Sequence, residues 1–140
     1  MTREEFNTYL QSIGGLVNGW KSFAPPILDC GFMQHGDGWL GLEQHLIEDL
    51  IKLGWNKEVC QIKEKFGGLR FYINDGSDAI FKRIDQAESE SYKTCEICGS
   101  KDSIGKTSGW ITTMCEPCAT NEFKNKSEPK DFNRFWTKNT

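Results

Sequence analysis

Four cysteines spaced Cys95-x2-Cys98 and Cys115-x2-Cys118, with 16 residues between the pairs, are the side chains best able to do chemistry here. Each CxxC turn sets two thiolates on one side of an ion, so two such turns close a tetrahedral shell. Zinc is the expected metal, ahead of iron, because no other feature points to electron transfer. A shell of four thiolates leaves no position for water, so the expected zinc is structural rather than hydrolytic. Gly99 suits the turn after the first knuckle, whereas the second has Ala119 at that place. The competing reading is two free or redox-active CxxC pairs. Cys30 and Cys60 stand among apolar neighbours and read as small buried hydrophobes.

A second candidate lies in the run from Cys60 to Ile73, where Ile62, Glu64 and Phe66 alternate with Lys63 and Lys65, and Leu69, Phe71 and Ile73 with Arg70 and Tyr72. The alternation predicts a β-hairpin. A Gly67-Gly68 turn would pair Phe66 with Leu69, Lys65 with Arg70, Glu64 with Phe71, Lys63 with Tyr72 and Ile62 with Ile73. One face then collects apolar side chains, and the other Lys63, Lys65, Arg70 and Tyr72. A Lys65–Arg70 cross-strand pair costs up to about 1 kcal/mol unless an anion relieves it. A phosphate-bearing ligand, such as a small nucleotide, or an acidic protein surface would do so; long side chains splayed into water are the alternative.

Other constellations carry less. His35 sits in a Gly-rich stretch and His45 falls off the apolar stripe of its helix, and no HxxxH or HxxE spacing pairs them. Both read as surface or packing residues. Glu48-Asp49, Glu88 with Glu90, and Asp75 with Asp78 fall on expected solvated faces or turns. No phosphate loop, GxSxG or dinucleotide fingerprint occurs, so a binding protein is expected before an enzyme.

The elements that must position these residues follow from capping and periodicity. Thr2-Arg3-Glu4-Glu5 matches a capping box and predicts a helix near 3 to 13. Residues 18 to 38, with Pro25-Pro26 and four glycines, read as a long irregular connection. Asp37 is placed to cap a second helix with Trp39, Leu42, Leu46, Leu50 and Leu53 as its stripe, ending at Gly54. Ser77 or Asp78 starts a third, with Ile80, Ile84, Ala87 and Ser91 on one side and small residues that admit a close neighbour. Residues 109 to 114 read as the returning strand of the zinc module. The polar tail from Asn121 contains Phe123, Phe132, Phe135 and Trp136, and is expected to pack back or to dock on a partner.

This makes an α+β protein: helices packed on an antiparallel hairpin over 1 to 92, a zinc ribbon over 93 to 120, and an aromatic tail over 121 to 140. With 37% hydrophobic and 12% aromatic residues the chain has too much apolar surface to stay disordered. The net charge of −3 argues against broad attraction to nucleic acid. Residues 1 to 92 carry 9 basic and 14 acidic side chains and the rest 8 and 6, so only the ribbon and tail are basic. A nucleic-acid regulator using the ribbon with Lys124, Lys126, Lys130 and Lys138 is the alternative function. With no apolar leader or membrane-length run, a cytoplasmic protein is expected.

The run Lys63 to Tyr72, preceded by Asp37-Gly38-Trp39 and followed by Ala87-Glu88, Ser91, the four cysteines and Gly109-Trp110, resembles a family of small proteins of bacteriophages and bacterial genomes. The resemblance spans residues 37 to 118 and carries no assigned activity. It implies a phage-encoded protein of the host cytoplasm and leaves the mechanism open; for such a binding protein the expected partner is a host protein or a nucleotide signal used in bacterial defence.

Overall fold

The computed structural model describes residues 1–17, 28–124 and 132–139. Pro25-Pro26 and the tail lysines Lys126 and Lys130 lie outside the described residues. The first helix, α1 (Arg3–Ile13), is capped as expected: the Thr2 hydroxyl accepts the Glu5 amide at 3.1 Å. Gly14 ends it in the left-handed region at φ 69°. Phe6 and Leu10 enter the core. Strand β1 (Leu16–Val17) then pairs in parallel with β3 (Glu58–Val59).

The 28 to 38 part of the expected irregular connection is built into the fold. A 3-10 turn at Cys30–Phe32 leads to β2 (Met33–Gln34), which lies parallel to β4 (Gln61–Lys65). A second 3-10 turn, Asp37–Trp39, opens α2 (Leu40–Lys52). Asp37 does not cap this helix; its carboxylate takes the Arg3 guanidinium at 2.7 Å and ties the loop to α1. The buried stripe also differs from the expected one. Trp39, Leu46 and Leu50 are buried, but Leu42 is half-buried and Leu53 exposed, and Leu40, Glu43 and Ile47 complete the face.

The hairpin β4–β5 (Gly68–Tyr72) forms with its faces as alternation predicts, but its turn is displaced by one residue. Phe66-Gly67, not Gly67-Gly68, makes the turn, with φ of 54° and 82°. Ile62 therefore opposes Phe71, Lys63 opposes Arg70, and Lys65 opposes Gly68. Shifting the pairing by two keeps the side chains within both strands on their faces and changes their partners, but it moves Phe66 off the apolar face into the turn, where it is exposed. A left-handed Phe66 costs about 1–2 kcal/mol. Two long-range contacts offset that cost: the Tyr92 ring lies over Gly68, where a Cβ would come within 2.4 Å of it, and the Thr113 hydroxyl donates to Gly67 O at 2.6 Å.

Helix α3 (Asp78–Ser91), capped by Ser77, packs on α2 and β5. The small residues act as expected: Ala87 is fully buried, and Ser91 Oγ accepts the Leu69 amide at 2.8 Å. Arg83 reaches Asp49 on α2 at 2.7 Å. Helices thus cover the sheet β2-β4-β5, an α+β arrangement.

The C-terminal part holds β6 (Ile104–Thr107), β7 (Thr113–Cys115), α4 (Glu116–Lys124), α5 (Phe132–Phe135) and β8 (Trp136–Lys138). Residues 109 to 112 form a loop rather than the start of the returning strand. Strand β8 pairs antiparallel with β6, giving the order β7-β6-β8, so the aromatic tail is part of the ribbon's own sheet. Trp136 is buried there and its indole N–H donates to Met114 O at 2.8 Å.

The two parts meet at Gly36-Asp37-Gly38-Trp39. Gly38 N donates to Glu96 O at 2.8 Å, and the Trp39 indole to Thr94 O at 2.9 Å. A Cβ on Gly38 would lie 2.2 Å from Cys95 O, closer than any backbone contact tolerates. Gly38→Ala is expected to destabilise by about 1–3 kcal/mol. Gly41→Ala, whose Cβ would meet nothing within 4 Å on α2, should instead raise stability by up to about 1 kcal/mol. Thermal melts followed by circular dichroism check both, and equal shifts would mean that the knuckle does not press on this loop.

Candidate metal centre and binding surface

The ligating atoms of Cys95, Cys98, Cys115 and Cys118 all lie within 4.8 Å of one another. Cys95 and Cys98 sit on a tight turn, with Gly99 N donating to Cys95 O at 2.9 Å and Gly99 at φ 82°. The second pair is not a second knuckle. Cys115 ends β7 and Cys118 lies in the first turn of α4, which explains why buried Ala119 rather than glycine follows it. A helix N-terminus favours a thiolate.

These four cysteines can hold a metal ion. Tetrahedral metal–sulfur bonds of about 2.3 Å imply S···S edges of about 3.8 Å, and the Cys98 and Cys115 sulfurs are 3.6 Å apart. Burial opposes a charged Cys95, but the amides of Cys115, Cys98 and Ile97 outweigh it and pull its pKa down. Burial and the neighbouring sulfurs of Cys115 and Cys98 push Cys118 far up. One thiolate is thus stabilised by amides, while burial raises Cys115 and Cys118, which a bound cation would hold as thiolates. Cys30 is buried and Cys60 half-buried, and burial raises both thiols.

The four residues expected to meet an anion do not form one patch. Arg70 is paired with the Glu88 carboxylate and its guanidinium also reaches the Tyr92 hydroxyl at 3.2 Å, so its charge is met within the fold. Tyr72 lies exposed at the far end of β5, opposite Gln61. Lys63 and Lys65 instead flank Trp110. Lys63 lines a hollow with Gln34, Glu96 and Trp110, and Lys65 an adjacent cleft of about 250 Å³ with Phe66, Trp110 and Ile111. Glu64 lines both, and its Oε2 is buried with no hydrogen-bond partner among the described residues. No family model, curated protein or solved structure matches the chain.

Sequence reasoning missed a buried pair. The side chains of His35 and Glu43 are 1% and 0% exposed, with His35 Nε2 against Glu43 Oε1 and His35 Nδ1 donating to Gly36 O at 2.7 Å. Burial would lower His35, but the Glu43 hydrogen bond and charge hold its pKa above the ordinary value; burial pushes Glu43 up against the opposing pull of His35. The available signal was Glu43 falling on the stripe of Trp39, Leu46 and Leu50. His45, by contrast, is a surface residue, 3.9 Å from Glu48. Among the described residues no helix is long and apolar enough to cross a membrane.

Proposed function

We propose that this is a zinc-stabilised, non-enzymatic binding protein, and that the cleft between the β4–β5 tip and the β6–β7 loop docks a protein partner. The observation that carries the reading is the exposure of Trp110, at 83%, and Phe66, at 67%, on either side of one cleft. Single exposed hydrophobes need no explanation, but large aromatics converging on a cleft are typical interface anchors. The four cysteines would hold the zinc, which supplies cross-linking and no chemistry on a substrate. They would keep the Trp110 loop beside the hairpin, where the Thr113 hydroxyl already holds Gly67 O. A fitting partner inserts an apolar side chain between the aromatics and sets carboxylates against Lys63 and Lys65. The enclosed His35–Glu43 pair supports a role without catalysis, since no substrate reaches it.

The resemblance over residues 37 to 118 supports a phage-encoded protein, and for such a protein the partner proposed is a host defence protein. Trp110 with two lysines at its flanks also suits a nucleotide, its base on the indole and its phosphates on the ammonium groups. Pull-down from bacterial lysate and calorimetry against nucleotides separate the two. Trp110→Ala is expected to weaken binding of the true partner by at least 30-fold, about 2 kcal/mol. Stability should change by less than about 0.5 kcal/mol. A partner retained equally by Trp110→Ala and Phe66→Ala would remove the cleft from the reading.

A further inference from the structure

A different face of the ribbon carries a strong local charge. Lys93 follows α3, Lys101 follows the knuckle, Lys106 lies on β6 and Lys138 on β8, yet all four line one open groove of about 800 Å³. The β6–β8 pairing brings the last two together, with Lys106 beside Thr137 and Gly105 beside Lys138. Tyr92 and Asn139 complete the groove, whose floor is ordered by Asn139 N donating to Ile104 O at 2.9 Å. Among the described residues no acidic side chain lines it, and none of the four ammonium groups is in an ion pair.

We infer that this groove binds the phosphate backbone of a nucleic acid. Four cations drawn from four segments of a chain with net charge −3 are a concentration of charge that no ion pair among the described residues neutralises. A polyanion with regularly spaced charges meets all of them at once, whereas a small anion meets one or two. The open groove admits an extended chain, and the half-exposed Tyr92 ring offers a face for a base. Of the tail lysines among the described residues, Lys138 belongs here and Lys124 lines another hollow, next to Glu116. The site is separate from the Trp110 cleft and does not depend on it.

Anisotropy of labelled 20-mers of single-stranded DNA, duplex DNA and single-stranded RNA, titrated with the full zinc-loaded chain from 25 to 200 mM NaCl, tests this. Binding to at least one is expected, with log K falling against log salt at a slope of about −3, as three to four phosphate contacts require. Lys101→Glu with Lys106→Glu should weaken it at least 10-fold. Lys101→Gln with Lys106→Gln, which adds no repulsion, should weaken it about 5-fold, while Lys82→Glu on α3 and Trp110→Ala change it less than 2-fold. The inference is overturned by no binding at 25 mM salt, by unchanged binding in the Gln pair, or by inorganic polyphosphate of matched charge binding as tightly as the nucleic acids.

Discussion

Chelation of the metal, or Cys115→Ser, is expected to unfold the ribbon, described over residues 94–124 and 132–139, while the N-terminal part stays folded. The buried apolar cluster of the ribbon comprises Cys95, Ile104, Met114, Cys115, Ala119 and Trp136, so two of its six members are themselves ligands and a third is alanine. Such a core cannot hold three short strands alone, and structural zinc contributes about 10–16 kcal/mol in small modules. The N-terminal cluster, from Phe6 to Ala87, contains none of the four ligands. Among the described residues it would lose the seam bonds to Glu96 O, Glu96 Oε2, Thr94 O and the Thr113 hydroxyl, and the weaker one from Asn139 Nδ2 to Tyr92 O. At about 1 kcal/mol each these lower its Tm by some 15 °C or more. Amide spectra recorded before and after chelation should lose the ribbon resonances and keep those of α1 to α3. A spectrum unchanged by metal removal would mean that sheet pairing, not the centre, holds the ribbon.

Glu43→Ala is the second large effect, expected to cost about 3–5 kcal/mol in urea unfolding because it leaves His35 buried without its partner. That is a large part of a typical total of about 5–15 kcal/mol. Replacing both His35 and Glu43 with leucine should recover most of the loss, since apolar pairs replace buried ion pairs at little cost. The pair also sets a pH dependence. Because Nδ1 faces a carbonyl and must donate, the contact between Nε2 and Oε1 is favourable when a proton lies between them. Both pKa values are raised, so the folded pair keeps that proton at pH values where the unfolded chain, with ordinary His near 6.5, has released it. The stabilisation is fully present below about pH 6.5 and declines as pH rises through the folded His35 pKa, by up to about 1.4 kcal/mol per unit. The double leucine variant should lose this slope, and a slope that survives in it would assign the proton elsewhere.

Legibility in the sequence followed the range of each interaction. The caps at Thr2 and Ser77, the alternation through β4 and β5, and the CxxC spacing are set within a few residues, and each appears as read. The hairpin turn was misplaced because Gly67-Gly68 is the better local turn, whereas contacts from Tyr92 and Thr113 choose Phe66-Gly67. Arg70 looked like a free cation for the same reason: Glu88, 18 positions away in the chain, meets it only once α3 packs on β5. The tail's aromatics announced that it packs, but not that β8 would pair with β6.

The sequence by itself determined that four cysteines gather where they can hold a metal ion, and that helices cover an apolar hairpin face. Those properties rest on local spacing and on side-chain chemistry that no packing changes. Only the tertiary structure decided which surfaces are left over. It paired His35 with Glu43 inside the core, neutralised Arg70, set Trp110 beside Phe66, and gathered Lys93, Lys101, Lys106 and Lys138 into one groove. Each of these depends on segments far apart in the chain meeting in space, and no periodicity along one segment records where its neighbours will lie.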